Sequence, residues 1–476
     1  MAKFLSRIAP DPYREFIASK RRIVQPMGFE PSRISPFLFD WQALIESWAT
    51  RRGRAALFED CGLGKTLQQL EWAAQVWQHT QRPVVIHCPV GVRHQTKAEA
   101  EKFNIDAPIA IANESDSVID GINLINYEKL HRIDPSIFGG VVLDESSILK
   151  SFTGKIKQSL IAAYSHCPYR LACTATPAPN DFMELGNHAE FLGVCTREEM
   201  LSTYFVHDSG ETSKWRLRKH AQKDFWEWMA SWSVCVSKPS DIGFSDNGFD
   251  LPPLVEHEHI VDIERDPKPG FLFHVDEKLS ATAMHSEKRQ TADLRAAKVA
   301  ELVNSNSESW AVWCDANYEA DALKKLIPDA VEVRGTDSDQ SKEDRLRSFA
   351  DGSSRVIITK PTVAGFGMNW QHCSHQAKIG VNYSYEQSYQ ADRRLWRFGQ
   401  RRPVHSHIVT TPSEKAMLDA QKAKASQHQS MKHGMAAAMR ESMAKQLKSE
   451  DRKEKYEPRR KMRLPQWLTV EESPAA

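Results

Sequence analysis

The sequence predicts an α/β fold in which two doubly wound lobes, each built on a parallel sheet, follow one another along the chain. The chain has 476 residues, more than one hydrophobic core usually serves, so two or three domains are expected. Short apolar runs alternate with helical stretches in two separate regions, which is typical of βαβ units. Hydrophobic residues make up 41% and charged residues 26% of the chain, a composition that suits a globular protein.

Short apolar runs supply the candidate strands of both lobes. In the first lobe the runs are AALF (55–58), PVVIHC (83–88), INLIN (122–126), GVVLD (140–144) and YRLACT (169–174). In the second lobe the runs are WAVWC (310–314), VEVRG (331–335), RVIIT (355–359), AKIGV (377–381) and HSHIV (405–409). Helical patterns lie between 66 and 77 and between 153 and 163, so strands and helices alternate as a parallel sheet requires.

Changes in composition predict five segments along the chain. They are a basic N-terminal extension (1–35), a first lobe (36–180), a helical segment between the lobes (181–255), a second lobe (256–412) and a charged helical tail (413–476). Pro252 and Pro253 mark a boundary, because adjacent prolines cannot continue a helix or a central strand.

Two aromatic or apolar stripes have the spacing of amphipathic helices. In the tail, Met435, Met439, Met443 and Leu447 fall at four-residue steps, and we expect this face to pack onto the second lobe. Between the lobes, the aromatic residues could stack on nucleic-acid bases, but their helical spacing favours a buried core face. These residues are Phe225, Trp226, Trp228 and Trp232.

Charge and cysteine content limit the class of protein without deciding it. The net charge is +1, yet residues 1–35 hold seven Lys and Arg against three Asp and Glu, and residues 413–476 hold fourteen against nine. Such ends are more often solvated than bound to phosphates, so charge alone decides nothing. The eight cysteines form no C-x-x-C pair, the start lacks a signal-peptide pattern, and no apolar run approaches about 18 residues. We therefore expect a cytoplasmic protein that does not enter membranes.

The strongest local motif is Cys61-Gly62-Leu63-Gly64-Lys65-Thr66, which lies between a predicted strand and a predicted helix. Glycines let the backbone wrap around a phosphate, and free N–H groups at the helix start face the anion. In such a loop the lysine reaches the β- and γ-phosphates and the threonine hydroxyl binds Mg²⁺. Glu59 stands where the full phosphate-loop pattern has its first glycine, so the match is partial.

Two further motifs complete a candidate ATP site. Asp144 and Glu145 end the apolar strand GVVLD, at the sheet edge where ligands of open α/β folds bind. We expect Asp144 to hold Mg²⁺ and Glu145 to act as the general base that deprotonates the attacking water. In the second lobe, Arg394 and Arg397 are three residues apart and share a helix face, which suits a clamp on the γ-phosphate.

Together these segments resemble the Swi/Snf-type ATPases of helicase superfamily 2, and especially the compact versions of bacterial and phage genomes. The resemblance extends from about Phe37 to Val409, with the motifs in the family's order. It implies tandem RecA-like lobes, ATP and Mg²⁺ as cofactors, and a DEAD/DEAH-box-like, DNA-dependent ATPase. Relatives mostly translocate on duplex DNA without separating the strands, so duplex DNA is the expected partner, in a phage or mobile-element setting.

The resemblance also assigns roles to individual residues. Gln42 matches the glutamine that reads adenine, and Thr174 and Thr176 match the motif that couples hydrolysis to nucleic-acid binding. The nucleotide-binding set adds Gly62, Gly64, Lys65, Thr66 and Gly367. The nucleic-acid-coupling set adds Asn369 and Gln390, whereas Arg394 and Arg397 match the sixth motif, with Arg397 as the arginine finger.

The sequence departs from the family at two positions and leaves two other functions open. Ser146 and Ser147 replace the usual Ala-His of the second motif, so coupling through that histidine is in doubt. Trp396 stands where remodelling enzymes commonly have histidine, and no chromatin-reading module is visible. One alternative is a nucleotide-switched scaffold with slow hydrolysis, and another is an RNA-dependent ATPase of the same superfamily. Protein partners cannot be inferred.

Overall fold

The computed structural model contains two α/β lobes, and it describes residues 24, 26–150, 154–207, 215–262, 281–364 and 369–450. Each lobe is built on one sheet, of seven strands in the first lobe and six in the second. Every strand pair within these two sheets is parallel. The predicted fold class is therefore confirmed.

The first lobe alternates helices and strands, as the sequence predicts. Its elements are α1 (Asp40–Arg52), β1 (Arg54–Glu59), α2 (Lys65–Thr80), β2 (Val84–Cys88), α3 (Arg93–Lys102), β3 (Ile109–Ile111), β4 (Ile122–Asn126), β5 (Gly140–Asp144), α4 (Lys155–Tyr164) and β6 (Tyr169–Cys173). Neighbouring side chains on one strand join different cores, since Val141 and Leu143 pack on one face and Val142 on the other. Helices cover both faces of this sheet, so the lobe is doubly wound.

The segment between the lobes contributes more than helices. It contains α5 (Leu185–Leu192), α6 (Arg197–Tyr204), β7 (Phe205–His207), β8 (Trp215–Leu217), α7 (Gln222–Ala230) and β9 (Ser233–Val236). Strand β9 pairs with β1 and extends the first sheet, whose order is β3-β4-β2-β5-β6-β1-β9. The aromatic residues of α7 are buried in the first lobe, as their helical spacing predicts.

The second lobe repeats the architecture and then ends in a long helix. Its elements are β10 (Leu254–Ile260), α8 (Ala281–Gln290), α9 (Ala292–Asn304), β11 (Trp310–Trp313), α10 (Asn317–Leu326), β12 (Val331–Val333), α11 (Asp339–Ala350), β13 (Val356–Thr359), α12 (Pro361–Ala364), β14 (His375–Ile379), α13 (Tyr385–Leu395), β15 (Val404–Thr410) and α14 (Lys415–Glu450). The strand order is β10-β15-β14-β11-β13-β12. Within the described part of the chain, no helix combines the length and the apolar character that crossing a bilayer requires.

Helix α14 starts on the second lobe and crosses to the first. Met417 and Leu418 pack with second-lobe residues, whereas Met431 and Met435 are buried in a core of the first lobe. A Cβ at position 434 would lie 2.8 Å from the Trp226 ring, so only glycine permits this close approach to α7. The expectation that Met435 packs onto the second lobe is wrong, because the aromatic surface of α7 accepts it. The side chains of Met439, Met443 and Leu447 lie outside the described residues.

Candidate active site

The loop between β1 and α2 has the backbone of a phosphate-binding loop. Gly62 and Gly64 have φ angles of 86° and 78°, a region that side chains rarely adopt. Lys65 is the first residue of α2, and its Nζ donates to the carbonyl oxygens of Glu59 at 2.7 Å and Asp60 at 2.9 Å. The ammonium thus rests on the strand-to-loop backbone, within reach of the place where phosphates would bind.

Gln42 ties helix α1 to this loop. Its Nε2 donates to the Leu63 carbonyl at 2.7 Å, and its Oε1 accepts from the Phe39 backbone N–H at 3.0 Å. A Cβ at position 64 would collide with the same amide nitrogen, so any residue other than glycine there would displace the Gln42 side chain. The residue that the sequence assigns to adenine recognition therefore lies against the loop.

The two acids of the second motif lie at the carboxyl end of β5. Asp144 Oδ1 accepts from Gln69 Nε2 at 2.9 Å, and Tyr127 donates its hydroxyl to the Asp144 carbonyl at 2.6 Å. Glu145 has a φ of 61°, a strained value for a residue that carries a side chain. Backbone outliers of this kind persist where the surrounding contacts hold them in place. Here the unusual backbone angle directs the carboxyl of Glu145 into the cleft.

Burial raises the pKa of both acids. The pKa of Asp144 is raised by desolvation, although its hydrogen bond with Gln69 and the charges of Lys65 and Arg394 oppose the rise. Burial raises the pKa of Glu145 to about 7, and the neighbouring Asp144 carboxylate adds to that rise. Lys65 and Arg394 lower the pKa of Glu145 in turn. A lysine of the first lobe and an arginine of the second therefore act on the same pair of carboxyls.

The second lobe meets the phosphate loop directly. A Cβ at Gly62 would lie 2.9 Å from the backbone nitrogen of Phe398 and 3.2 Å from Cβ of Arg397. Arg394 is buried on α13, where its charge interacts with both Asp144 and Glu145. Burial and the neighbouring charge of Arg394 together lower the pKa of Arg397 to about 10. Both arginines of the sixth motif thus lie in the cleft. The expectation that they share one helix face is wrong, because α13 ends at Leu395 and Arg397 lies beyond it.

Two threonines connect the acids to the second lobe. Thr174 donates its hydroxyl to Glu145 Oε2 at 3.2 Å and accepts the backbone N–H of Thr176 at 3.1 Å. The hydroxyl of Thr176 donates to Glu386 Oε1, across the lobe interface, at 3.4 Å. Glu386 also forms an ion pair with Lys150, which follows the second motif. The sequence did not single out Glu386 or Lys150, because each is more than 200 residues from its partner.

Asp60 directly precedes Cys61, the first residue of the phosphate loop. Its carboxylate forms ion pairs with two cations of the second lobe and of α14, and we call this group the Asp60 node. Its carboxylate lies 2.7 Å from Arg393 of α13 and 2.8 Å from Lys432 of α14. Burial alone would raise the pKa of Asp60, but these two cations outweigh burial and hold it well below its usual range. Asp60 therefore joins the phosphate loop to helices α13 and α14.

Other predicted site residues have varied surroundings. Thr66 follows Lys65 on the first turn of α2 and is half-buried. Gln390 is buried on α13, and its Nε2 has no hydrogen-bond partner among the described residues. Asn369 is exposed and accepts from the Gln371 backbone at 3.3 Å, outside the contacts just described. Gly367 lies outside the described residues.

Ser146, which follows the two acids of the second motif, has a buried histidine as its partner. Ser146 Oγ and Nε2 of His188, on α5, share a hydrogen bond of 3.1 Å. His188 is fully buried, and desolvation lowers its pKa to about 4, so it is neutral near pH 7. A histidine therefore does lie beside the second motif, but it comes from a helix 42 residues further along the chain.

The oxygen donors at the site fit Mg²⁺ that is bound together with a nucleotide. The described residues contain no group of three or more His, Cys, Asp or Glu side chains that could hold a metal ion. Mg²⁺ in phosphate-transfer sites usually needs only one or two protein oxygen ligands, since phosphates and water supply the others. Thr66 and Asp144 offer this donor set, and the glycine backbone offers the phosphate cradle.

Comparisons with known proteins add a likeness of fold. No family model matches the sequence, and no curated protein matches it. Among solved structures, the SWI2/SNF2 ATPase core of Sulfolobus solfataricus, determined in complex with dsDNA, is similar, with a TM-score of 0.42 and 18% sequence identity. The match covers 86% of this chain and 96% of that chain. A likeness of this size says nothing about what this chain binds.

Proposed function

We propose that this protein is a motor that hydrolyses ATP in the cleft between its lobes and acts on nucleic acid, with duplex DNA as the substrate. The observation that supports this most is that Lys65, Asp144 and Glu145 of the first lobe share one cleft with Arg394 of the second. Phosphoryl transfer is catalysed largely by positioning and by stabilising charge, and these residue types supply both.

In this proposal the first lobe binds and activates the nucleotide. Lys65 leaves the two backbone carbonyls and donates instead to the β- and γ-phosphates. Thr66 and Asp144 would hold Mg²⁺, which would neutralise charge on the phosphates. Glu145 accepts a proton from the attacking water, and the hydrogen bond from Thr174 keeps its carboxylate oriented.

The second lobe supplies the cations that stabilise the transition state. Arg394 and Arg397 lie on the other side of the cleft, so hydrolysis requires the two lobes to be together. A nucleotide that binds the closed arrangement more tightly than the open one shifts the population toward closure. Repeated closure and opening move both lobes relative to a bound strand, and this is the stepping motion that we propose for duplex DNA.

Two other functions remain as outcomes of the test. A nucleotide-switched scaffold would hydrolyse ATP slowly and would not need Lys65, Glu145 and an arginine together in the cleft. An RNA-dependent ATPase would use the same cleft but would respond to RNA. The resemblance of the phosphate loop and the sixth motif to DNA-dependent enzymes, together with the basic ends of the chain, favours DNA.

The deciding experiment measures steady-state ATP hydrolysis by the full chain with no nucleic acid, single-stranded DNA, duplex DNA and RNA in parallel. We expect duplex DNA to raise turnover by about tenfold or more and rising salt to weaken the effect, because phosphate contacts release condensed counterions. Lys65→Ala is the matched control: it should fold normally, since Lys65 begins α2 outside the hydrophobic cores, but it should lose most hydrolysis.

Each outcome of this comparison points to one function. Equal stimulation by RNA would favour the RNA-dependent ATPase, and slow hydrolysis without any stimulation would favour the scaffold. Full turnover by Lys65→Ala would show that the phosphate loop has been assigned to the wrong residues.

A further inference from the structure

Glu386 is a second-lobe carboxyl that contacts the first lobe at and beside its predicted motifs. It lies in the first turn of α13 and is only 4% exposed. An acidic residue at this end of a helix is stabilised by the helix dipole, but that role needs neither burial nor a partner in another lobe. Glu386 has two such partners, Thr176 and Lys150.

The hydrogen bonds that begin at Glu386 end at the proposed general base. Thr176 Oγ1 donates to Glu386 at 3.4 Å, the Thr176 backbone N–H donates to Thr174 Oγ1 at 3.1 Å, and Thr174 Oγ1 donates to Glu145 at 3.2 Å. A threonine hydroxyl has one proton, so the proton of Thr174 is committed to Glu145 and that of Thr176 to Glu386. Each carboxylate therefore fixes the orientation of one threonine hydroxyl, and the backbone N–H of Thr176 links the two threonines.

Helix α13 carries both Glu386 and Arg394. Glu386 and Arg394 are eight residues apart on α13, which corresponds to about 12 Å along a helix axis. Glu386 contacts Thr176 near one end of the helix, and the charge of Arg394 acts on Asp144 and Glu145 near the other. Two contacts at this separation define the direction of the helix over the site, which a single contact cannot do.

We propose that Glu386 is a positioning residue that aligns the arginine helix α13 with the general base through Thr176 and Thr174. The inference rests on the ATPase function proposed above. It gives the second motif, which has Ser146 and Ser147 in place of Ala-His, a physical connection to the second lobe. Nucleic acid that shifts the second lobe would act on Glu145 by this route, and hydrolysis would respond to it.

The test uses single-turnover and steady-state hydrolysis by the full chain, with and without saturating duplex DNA. We expect Glu386→Ala and Thr176→Val each to lower the DNA-stimulated kcat by about tenfold or more while KM for ATP stays within about twofold, because small misplacements of catalytic groups reduce kcat steeply. Thr176→Ser should restore the stimulated rate, because it keeps the hydroxyl. The double variant should be no slower than the slower single variant, since both break one chain of contacts.

Glu343→Gln is the matched control, because Glu343 is another second-lobe carboxyl that contacts the first lobe, 3.6 Å from His94. We expect it to retain stimulation within about twofold, as removing an exposed charge pair costs little. Thermal melting checks that the variants fold. If Glu386→Ala does not fold, Thr176→Val tests the same series of contacts from the other lobe. Parental stimulation in both would overturn the inference alone. No hydrolysis by the parent protein would overturn the proposed function and this inference with it.

Discussion

Replacing Lys432 by methionine should destabilise the protein measurably, because it removes one of the two cations that neutralise Asp60. The two side chains are about 10% exposed and their charged atoms are 2.8 Å apart. At an effective dielectric constant of about 20, Coulomb's law gives about 6 kcal/mol for this separation. Methionine avoids the desolvation of a buried ammonium, which costs several kcal/mol, and Arg393 still pairs with Asp60. We therefore expect a net loss of about 1–2 kcal/mol in the free energy of unfolding.

The control is the same substitution ten residues earlier on the same helix. Lys422 pairs with Glu258, but both side chains are at least 43% exposed, so Lys422→Met should change stability by less than about 1 kcal/mol. Urea titrations followed by tryptophan fluorescence give both values under one set of conditions. Equal losses in the two variants, or none in either, would refute the reasoning that burial gives the Asp60 node its strength. Asp60→Asn should exceed both, because it leaves two buried cations without a carboxylate.

Three further predictions test the site and the core. Glu145→Gln should keep ATP affinity within a few-fold but slow single-turnover hydrolysis by about 10²-fold or more, since the amide cannot accept the water's proton; lost affinity with normal hydrolysis would reverse the roles of the two acids. Arg397→Ala should cut turnover by roughly 10³-fold with ATP affinity nearly unchanged, and Arg397→Lys should rescue poorly; DNA-stimulated turnover near the parental level in both would contradict a two-lobe active site. Burial raises the pKa of Glu46 from 4.5 to about 7, so its contribution to stability is present below pH 4.5 and is lost as the pH rises through 7. Glu46→Gln should therefore stabilise the protein by about 2 kcal/mol at pH 8 and much less at pH 5, and equal urea midpoints for parent and variant at pH 8 would count against it.

Local patterns predicted most of the sheet and the motifs that lie along it. The runs INLIN and GVVLD coincide with β4 and β5, because both strands are buried on two faces and read as continuous apolar segments. Strand β10 was not predicted from the sequence. Its sequence LVEHEHI alternates apolar, charged and histidine side chains at the edge of its sheet, where one side of the strand remains partly exposed.

Contacts between distant parts of the chain could not be read from the sequence. The phosphate loop and the second motif are each continuous in sequence, so their chemistry is visible in a few residues. The Thr176–Glu386 and Asp60–Lys432 contacts join residues 210 and 372 positions apart. Such pairings depend on how the lobes are docked, and neither composition nor periodicity encodes that docking in a form that a single sequence reveals.

The crossing of α14 back onto the first lobe has a consequence for the order in which the chain is made. The aromatic surface of α7 and the edge strand β9 are complete once residue 236 has been synthesised, but Met431 and Met435 cover them only about 200 residues later. At about 5–20 residues per second, the interval lasts about 10 to 40 seconds on the ribosome. During it, the nascent first lobe leaves the aromatic surface of α7 uncovered, and exposed hydrophobic surface of this kind favours association with other chains. The last helix thus ends a period of vulnerability to aggregation that begins with the first lobe.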